Sequence, residues 1–416
     1  MRTVTRSRGQ SRTGGLGGWY CRPRRDALVS CVCRCVSDTV VDVKVVLAAL
    51  PAFGHVYPLV PLAVAWQRAG HEVLMSVGDG LCADLPGRRI PGAEPGWALA
   101  DSIVRAQKKV GHHAGTPPPE DMPTILFLQE CAPHVVEVMR EQLHRERPDV
   151  VVFEQCNLGA AIAAREAGCP GVAVGIVGWS SRWGRAYSAA AATTGALAHE
   201  LASTFVDTHP AFLADASAIP PPFPVTAMRP TAWASGGGSV PRWLLEPHRA
   251  PRAYLTLGTI FGREDLLAAA AHEVAQAGCE VLLATGPGVD PSDLSDLPPS
   301  VHVEQFVPQA RVLPHVDVVV HHGGTGTVIG SLEHGLPQVV LPRGADQFWN
   351  AEHLAARGAA RAVLPDARPG SVTDAVSQLL APDAPERREA TRLGASVAAM
   401  PSPETVAAAI ADACAT

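Results

Sequence analysis

Short valine-rich apolar runs alternate with segments of helical periodicity along most of the chain, and this alternation constrains the fold more than any other feature. The first run, Val43–Leu50, is continuously apolar, as expected for a strand that is buried on both faces of a parallel sheet. Further runs follow at Val73–Val77, Val150–Phe153 and Val172–Ile176, and an alanine-rich helical segment covers Gly159–Ala167. The repeated strand–helix–strand pattern predicts a parallel sheet with helices on both faces.

The same alternation begins again in the second half of the chain, after residues 177–250 interrupt it. That interruption contains Pro220–Pro224 and Ser235–Gly238, and it is interpreted as loops and an interdomain linker. The strand candidates beyond it are Tyr254–Leu257, Val281–Ala284, Val301–Gln305, Val316–His321 and Val339–Leu341. The predicted fold class is therefore α/β, with two facing, doubly wound parallel-sheet domains. Such sheets bind ligands at the carboxyl ends of their strands, so the site is expected in the cleft between the domains.

Composition excludes several classes of protein. Of the 416 residues, 47% are hydrophobic and 18% are charged, which is too apolar for a disordered chain. The formal net charge of -6 argues against a nucleic-acid partner. No run reaches the ~20 apolar residues of a membrane span, and Arg34 interrupts the apolar stretch that could belong to a secretory signal. A cytoplasmic protein is expected.

The cysteines point to the same compartment. Six of the ten are scattered singly, which is typical of free thiols in a reducing environment. The other four, at Cys21, Cys31, Cys33 and Cys35, do not have the spacing of paired zinc ligands, so no metal is predicted there. Residues 1–42 show no periodic apolar pattern and are interpreted as a disordered extension or a start assigned too far upstream.

One segment, VVVHHGGTGTVIGSLEHGLPQVVLPRGADQ at Val318–Gln347, points to a specific ligand. A buried strand runs into two histidines, then into a glycine-rich turn with two threonines, and a helix is expected to start near Thr325. Glycines let the backbone approach a ligand closely, and the free N–H groups of a helix start favour an anion. The turn therefore suits a phosphate or diphosphate, although an ordinary strand-to-helix turn is the alternative.

This segment resembles the nucleotide-sugar signature of the family 1 glycosyltransferases, which have the GT-B fold of two facing Rossmann-like domains. The spacing agrees, since His322 lies fifteen residues before Pro337, and Asp346-Gln347 closes the motif four residues after Pro342. The resemblance extends over nearly the whole chain from Val43.

Other segments carry the resemblance too, among them Pro308–Asp317 and Thr256–Thr259. The segment Gly236–Leu244 resembles the linker of actinobacterial antibiotic glycosyltransferases, and the chain resembles enediyne glycosyltransferases of the calicheamicin type. The resemblance implies an acceptor-binding domain at 43–228, a linker at 229–250 and a nucleotide-sugar-binding domain at 251–395. It also implies a C-terminal helix within 396–416 that crosses back to the first domain.

The resemblance implies a donor site in the second domain. The diphosphate would be bound by the residues of the glycine-rich turn and by the turn after the domain's first strand: Thr259, His322, Gly324, Gly326 and Thr327. Phe306 and Val307 would face the nucleobase, and Asp346 and Gln347 would bind sugar hydroxyls. Plant relatives hold the ribose with a glutamate eight residues after the histidine, where this chain has Gly330. That departure favours a deoxythymidine diphosphate (dTDP) donor over a uridine diphosphate (UDP) donor.

On the acceptor side, the resemblance implies that His55 is the catalytic base and that Glu154 orients it. His55 follows the first strand and Glu154 ends a later one, so a parallel sheet would place both at one edge. An imidazole is an efficient proton acceptor near neutral pH, and a carboxylate on its other nitrogen fixes its tautomer. Aromatic and histidine side chains in irregular stretches could wall an apolar aglycone, or could simply pack. They are Trp97, His112, His113, Trp179 and Trp183.

The expected reaction is an inverting, metal-independent transfer of a sugar from the nucleotide to an aglycone hydroxyl, with no cofactor beyond the nucleotide sugar. The sequence contains no Asp-x-Asp cluster near the phosphate site. A nucleotide-sugar epimerase and a catalytically silent helper of a partner transferase stay open as alternatives, as does a homodimer. A dinucleotide oxidoreductase is disfavoured, because the turn at Pro51–His55 lacks the Gly-x-Gly-x-x-Gly spacing.

Overall fold

The computed structural model describes residues 42–78, 84–113, 115–214, 218–232, 238–258 and 262–415. The predicted extension at 1–42, apart from its last residue, lies outside these ranges, as do its four cysteines. The described cysteines Cys131, Cys156, Cys169, Cys279 and Cys414 are free thiols. No helix in the described part of the chain combines the length and apolar character needed to cross a membrane.

The first domain is built on a parallel sheet, which has seven strands within the described residues, in the order β3-β2-β1-β4-β5-β6-β7. Its strands are β1 Lys44–Ala49, β2 Glu72–Val77, β3 Arg88–Pro91, β4 Val150–Glu154, β5 Gly171–Val174, β6 Thr204–Asp207 and β7 Val225–Ala227. Its helices are α1 Phe53–Val56, α2 Val60–Arg68, α3 Leu99–Val110, α4 Ala132–Glu146, α5 Leu158–Glu166 and α6 Ser181–Thr193. The central strands are buried along their length because helices cover both faces.

The second domain repeats this architecture with six described strands, in the order β10-β9-β8-β11-β12-β13. They are β8 Arg252–Thr256, β9 Glu280–Ala284, β10 Val301–Glu304, β11 Val318–His321, β12 Gln338–Val340 and β13 Ala360–Ala362. The helices are α7 Glu264–Gln276, α8 Gln309–Val312, α9 Thr325–Glu333, α10 Gln347–Ala356, α11 Ser371–Leu379, α12 Pro385–Ala398 and α13 Pro403–Cys414. The predicted α/β class with two doubly wound parallel sheets is confirmed.

The interpretation of residues 177–250 as loops and linker was wrong for much of that stretch. Helix α6 and strands β6 and β7 lie within it and complete the first sheet. The two strands are only four and three residues long, too short to show a periodic pattern. The edge strand β7 is also exposed, so it carries no apolar run.

The last helix packs on the first domain. Val406 and Ile410 of α13 belong to the apolar cluster that lines one face of the first sheet. Trp66 of α2 donates its indole N–H to the carbonyl of Ala407 at 2.9 Å. The chain therefore returns to its starting domain after building the second one.

Candidate active site

The strand order of each sheet reverses at one place, and the residues of interest lie there. The reversal falls between β1 and β4 in the first sheet and between β8 and β11 in the second. At such a switch point the connections leave in opposite directions, which opens a crevice at the carboxyl ends of the strands. His55 lies in α1, directly after β1, and Glu154 is the last residue of β4.

His55 and Glu154 form a hydrogen-bonded pair. The Nδ1 atom of His55 lies 2.9 Å from Oε1 of Glu154, although 99 positions separate the residues in sequence. The Glu154 side chain is fully buried, whereas His55 is 16% exposed. With Nδ1–H donating to the carboxylate, the tautomer leaves Nε2 free to accept a proton.

Glu154 is itself held by the backbone. Its Oε2 accepts the amide N–H of Cys156 at 2.6 Å, and its Oε1 accepts that of Leu50 at 3.4 Å. These donors come from the ends of β1 and β4, so the strand register aims the carboxylate at His55. A buried carboxylate supported in this way can stabilise an imidazolium that forms during proton transfer.

Cys156 adds a third polar group to the pair. One ligand atom each from His55, Glu154 and Cys156 lies within 4.8 Å of the others, a group that could hold a metal ion among the described residues. Burial and then the charge of Glu154 raise the pKa of the Cys156 thiol well above its ordinary value. Zinc binds cysteine as the thiolate, a form that burial beside a carboxylate disfavours until an ion is bound. The same three groups are also placed for proton transfer through His55.

Phe127 lies beside His55 and was not identified from the sequence. Its ring centroid is 6.1 Å from that of His55 and 5.6 Å from that of Trp183. The Phe127 and Trp183 rings are stacked, with an angle of 23° between their planes. Phe127 is half-buried and lies in a π-helical turn, Thr124–Cys131. Such turns are frequent at functional sites, but the apolar run Ile125–Leu128 looks like ordinary core in the sequence.

Trp183 is the predicted acceptor residue that reaches this aromatic group. Trp183 is buried in the same core cluster as Trp179, which packs edge-on to Phe205 at 5.2 Å, so a pocket-lining role for either ring stays a prediction. Trp97 stacks on His134 of α4 at 5.4 Å and donates its N–H to Ser102. Burial directed the indoles of Trp179 and Trp97 into packing contacts, an outcome that aromatic content alone does not reveal.

His112 and His113 lie just past the end of α3, in a segment that approaches the second domain. Two residues later, the Gly115 amide N–H donates to the carbonyl of Arg343 at 2.7 Å. Burial, followed by the nearby His113, lowers the pKa of His112. These histidines are thus close to the junction of the two domains.

In the second domain, His321 holds the glycine-rich turn in shape. Its Nδ1 accepts the amide N–H of Gly323 at 3.0 Å, and its Nε2 lies 2.9 Å from Oε1 of Gln338. The ring is fully buried, which lowers its pKa to about 3 and keeps it neutral. Gly323 has φ +97°, which favours glycine, and helix α9 begins two residues later without a side-chain cap on its first N–H groups.

His322 lies between two glycines at this turn. A Cβ on Gly258 would come 2.7 Å from the imidazole, and one on Gly324 would come 2.5 Å from its Nε2. Burial lowers the pKa of His322 to about 4, with partial opposition from the Thr256 backbone, and Nδ1 has no hydrogen-bond partner. The imidazole is therefore neutral, and only glycine leaves it room.

The other predicted donor residues differ in their exposure and in their hydrogen bonds. Gly326 faces open space, and the Thr327 hydroxyl donates to Oε1 of Gln309 at 3.1 Å rather than standing free. Phe306 is 54% exposed, as a base-stacking ring would be, while the Val307 side chain packs in the core. Thr259 lies outside the described residues.

Asp346 lies at the start of α10 and faces both domains. Its Oδ2 accepts the Thr325 hydroxyl at 2.8 Å and the Asn350 amide at 2.9 Å. Burial raises the pKa of Asp346, and its hydrogen bonds and the charge of His55 act in the opposite direction. Both side chains that donate these hydrogen bonds to Asp346 belong to its own domain.

Gln347 and Asn350 have supporting positions. The Gln347 side-chain oxygen accepts the backbone N–H groups of Arg343 at 2.8 Å and Gly344 at 3.2 Å, so it fastens the turn before α10. Asn350, which the sequence did not single out, donates to the carbonyl of Gly323 at 2.8 Å as well as to Asp346. The only sequence feature that could have identified Asn350 is its position one helical turn after Asp346.

Known proteins are similar to this chain in sequence. The model of the erythromycin biosynthesis protein CIII-like C-terminal domain matches residues 268–412. The chain is 30% identical over 387 residues to L-demethylnoviosyl transferase of Streptomyces niveus, covering 88% of this chain and 96% of the relative. It is 32% identical over 354 residues to elloramycin glycosyltransferase of Streptomyces olivaceus, covering 78% of this chain and 87% of the relative.

A solved structure agrees. The glycosyltransferase SsfS6 of Streptomyces sp. SF2575, complexed with thymidine diphosphate, aligns with a TM-score of 0.71 at 26% identity, over 88% of this chain and 99% of that one. Similarity over nearly the full length covers both switch points, and not only the glycine-rich segment. The chain therefore belongs to the family 1 glycosyltransferases with the GT-B fold, of the erythromycin biosynthesis protein CIII-like type.

Proposed function

We propose that this glycosyltransferase moves a deoxysugar from a dTDP-sugar to a hydroxyl of a polyketide or enediyne aglycone, with inversion at the anomeric carbon and without a metal ion. One observation carries the proposal. The His55–Glu154 pair lies at the switch point of the first sheet, and the first domain contacts the segment just before Asp346, where the Gly115 N–H donates to the carbonyl of Arg343 at 2.7 Å. This contact supports a cleft that a proton acceptor and a donor-site carboxylate share.

The proposed reaction is a single displacement. His55 Nε2 takes the proton of the acceptor hydroxyl while its oxygen forms a bond to the anomeric carbon. The bond from that carbon to the diphosphate oxygen breaks, and the nucleoside diphosphate leaves with the electron pair. The N–H groups at the start of α9 stabilise the charge that develops on the diphosphate, a task that a divalent ion performs in other enzymes.

Gly330 supports a preference for dTDP over UDP. A Cβ at this position would come 3.0 Å from Leu313 and 3.2 Å from Nε2 of Gln309, so a ribose-binding glutamate would not fit without a shift of neighbours. A deoxyribose lacks the 2′-hydroxyl and does not need that group. The thymidine diphosphate bound by SsfS6 supports the same choice.

The position of Phe127 supports an apolar aglycone as the acceptor. Its half-buried ring stacks on Trp183 and lies beside His55, so an apolar, partly planar aglycone would gain contact area next to the base. L-demethylnoviosyl transferase and elloramycin glycosyltransferase are antibiotic-pathway relatives, which supports a natural-product acceptor.

Calorimetric titration with dTDP, UDP and NAD in chelator-treated buffer tests the proposal. We expect dTDP to bind at least about tenfold more tightly than UDP, and NAD not to bind. Equal affinity for UDP would remove the argument from Gly330. Failure to bind either nucleotide would contradict the proposed donor site.

A further inference from the structure

A buried histidine of the first domain lies against the helix that carries Asp346. His209 follows β6 and is only 4% exposed. A Cβ on Gly178 would lie within 3.6 Å of Nε2 of His209 and 3.7 Å from the indole nitrogen of Trp349. Trp349 of α10 also donates to the carbonyl of Leu213 at 2.8 Å. These contacts hold the segment 209–213 along the start of α10.

Unpaired polar atoms meet at this contact. Both ring nitrogens of His209 and Oδ1 of Asn350 are buried without a hydrogen bond. Nδ2 of Asn350 donates to Gly323 and to Asp346, which fixes the orientation of the amide and leaves Oδ1 in need of a donor. Burial lowers the pKa of His209 to about 4, and the Asn350 side chain opposes that shift, as an acceptor facing the imidazole would.

We propose that an imidazole N–H of His209 donates to Oδ1 of Asn350 and thereby positions Asn350 for donor binding. This bond would pair two groups that are otherwise costly to bury unpaired. His209 is a positioning residue, since it acts through Asn350 on Asp346 and on the Gly323 turn. The bond joins the two domains, so their approach orders the donor site. The inference rests on the proposed function, which places the donor at that turn.

The test compares His209→Leu with His209→Gln, which keeps an N–H donor. Loss of one hydrogen bond corresponds to about a fivefold effect, so we expect His209→Leu to raise the KM for the dTDP-sugar by about five- to tenfold. The KM for the acceptor should not change, and His209→Gln should restore the donor KM to within about twofold of the wild type. The matched control is Arg229→Met, which removes a bond to the carbonyl of Ala398 away from Asn350.

A double-mutant cycle with Asn350→Ala completes the test. Coupled residues give non-additive losses in dTDP affinity, whereas additive losses would overturn the inference. Equal losses in donor and acceptor KM, or the same loss in Arg229→Met, would also overturn it, because general domain docking explains both. If His209→Leu does not fold, His209→Ala enters the same cycle. A wild type that does not bind dTDP overturns the proposed function, whereas unchanged donor binding in His209→Leu overturns this inference alone.

Discussion

The two switch points of this molecule perform different tasks with different parts of the chain. At the first, two side chains carry the chemistry, with His55 held by the fully buried Glu154. At the second, glycines and backbone N–H groups form the turn, and His322 fits only because Gly258 and Gly324 lack side chains. Proton transfer needs a titratable group, whereas an anion needs only donors placed close to it. The first site should therefore be sensitive to removal of a side chain and the second to addition of one.

Removal of the His55 imidazole at the first switch point should have the largest effect on activity. His55→Ala is expected to lower kcat by about 10²–10⁴-fold, because the acceptor hydroxyl loses its general base. Affinity for dTDP should stay within about twofold, since the glycine-rich turn lies in the other domain. Steady-state kinetics and calorimetry measure the two quantities, with the exposed His144→Ala as the control. A similar loss of dTDP binding in His55→Ala would show that His55 also contributes to nucleotide binding, which contradicts the separate roles of the two sites.

The second largest effect is expected from the addition of a methyl group at Gly324, in the turn of the second switch point. A Cβ at Gly324 would come 2.5 Å from Nε2 of His322, so Gly324→Ala must displace the ring or the turn. We expect dTDP affinity to fall by about tenfold or more, because misplaced donors lose contact with the diphosphate.

The control is Gly288→Ala in the same domain, where a Cβ would have no atom within 4 Å. Calorimetry on both variants makes the comparison. Equal affinity in Gly324→Ala and the wild type would mean that the turn does not bind the diphosphate.

Acid should weaken the fold through three buried histidines, two at the second switch point and one in the first domain. Burial lowers the pKa of His321 to about 3 and of His322 and His209 to about 4, from an ordinary value of 6.5. Between those values the unfolded chain binds protons that the folded chain does not, so stability falls as the pH falls below 6.5. Each histidine should cost about 2 kcal/mol of unfolding free energy between pH 6.5 and about 5. Burial raises the pKa of Glu333 to about 6, which acts in the opposite direction but does not offset three histidines.

Denaturant unfolding at several pH values measures this slope. His321→Asn removes one titration while its side-chain oxygen can still accept the Gly323 amide, so its slope should be shallower than that of the wild type. A slope that does not change in this variant would contradict the assignment to His321.

Metal removal should have the smallest effect. His55, Glu154 and Cys156 lie near enough together to hold an ion, but the proposed reaction assigns no step to one, since His55 takes the proton and the N–H groups of α9 stabilise the diphosphate. Transfer rates should therefore be the same before and after dialysis against EDTA. A loss of rate that added Zn²⁺ restores would identify this group as a metal site, and Cys156→Ser would then remove the dependence.

Local patterns gave the α/β class and the elements that hold the site. Valine-rich runs mark the buried strands, and the glycine-rich segment before Thr325 indicates the turn and the helix after it. The prediction failed where the pattern was too short or ambiguous. Strands β6 and β7 contain only four and three residues, and Phe127 lies in an apolar run that resembles core.

The sequence by itself therefore determined the alternation of strands and helices, the turn that only glycines can form, and the residue types available for chemistry. These are properties of neighbouring residues, set by side-chain burial and backbone sterics. Only the tertiary structure decided which distant residues meet. Sheet order placed His55 beside Glu154, packing left Phe127 next to the base, and the approach of the domains set Trp349 against the carbonyl of Leu213. Such contacts join residues far apart in sequence, so no local pattern encodes them.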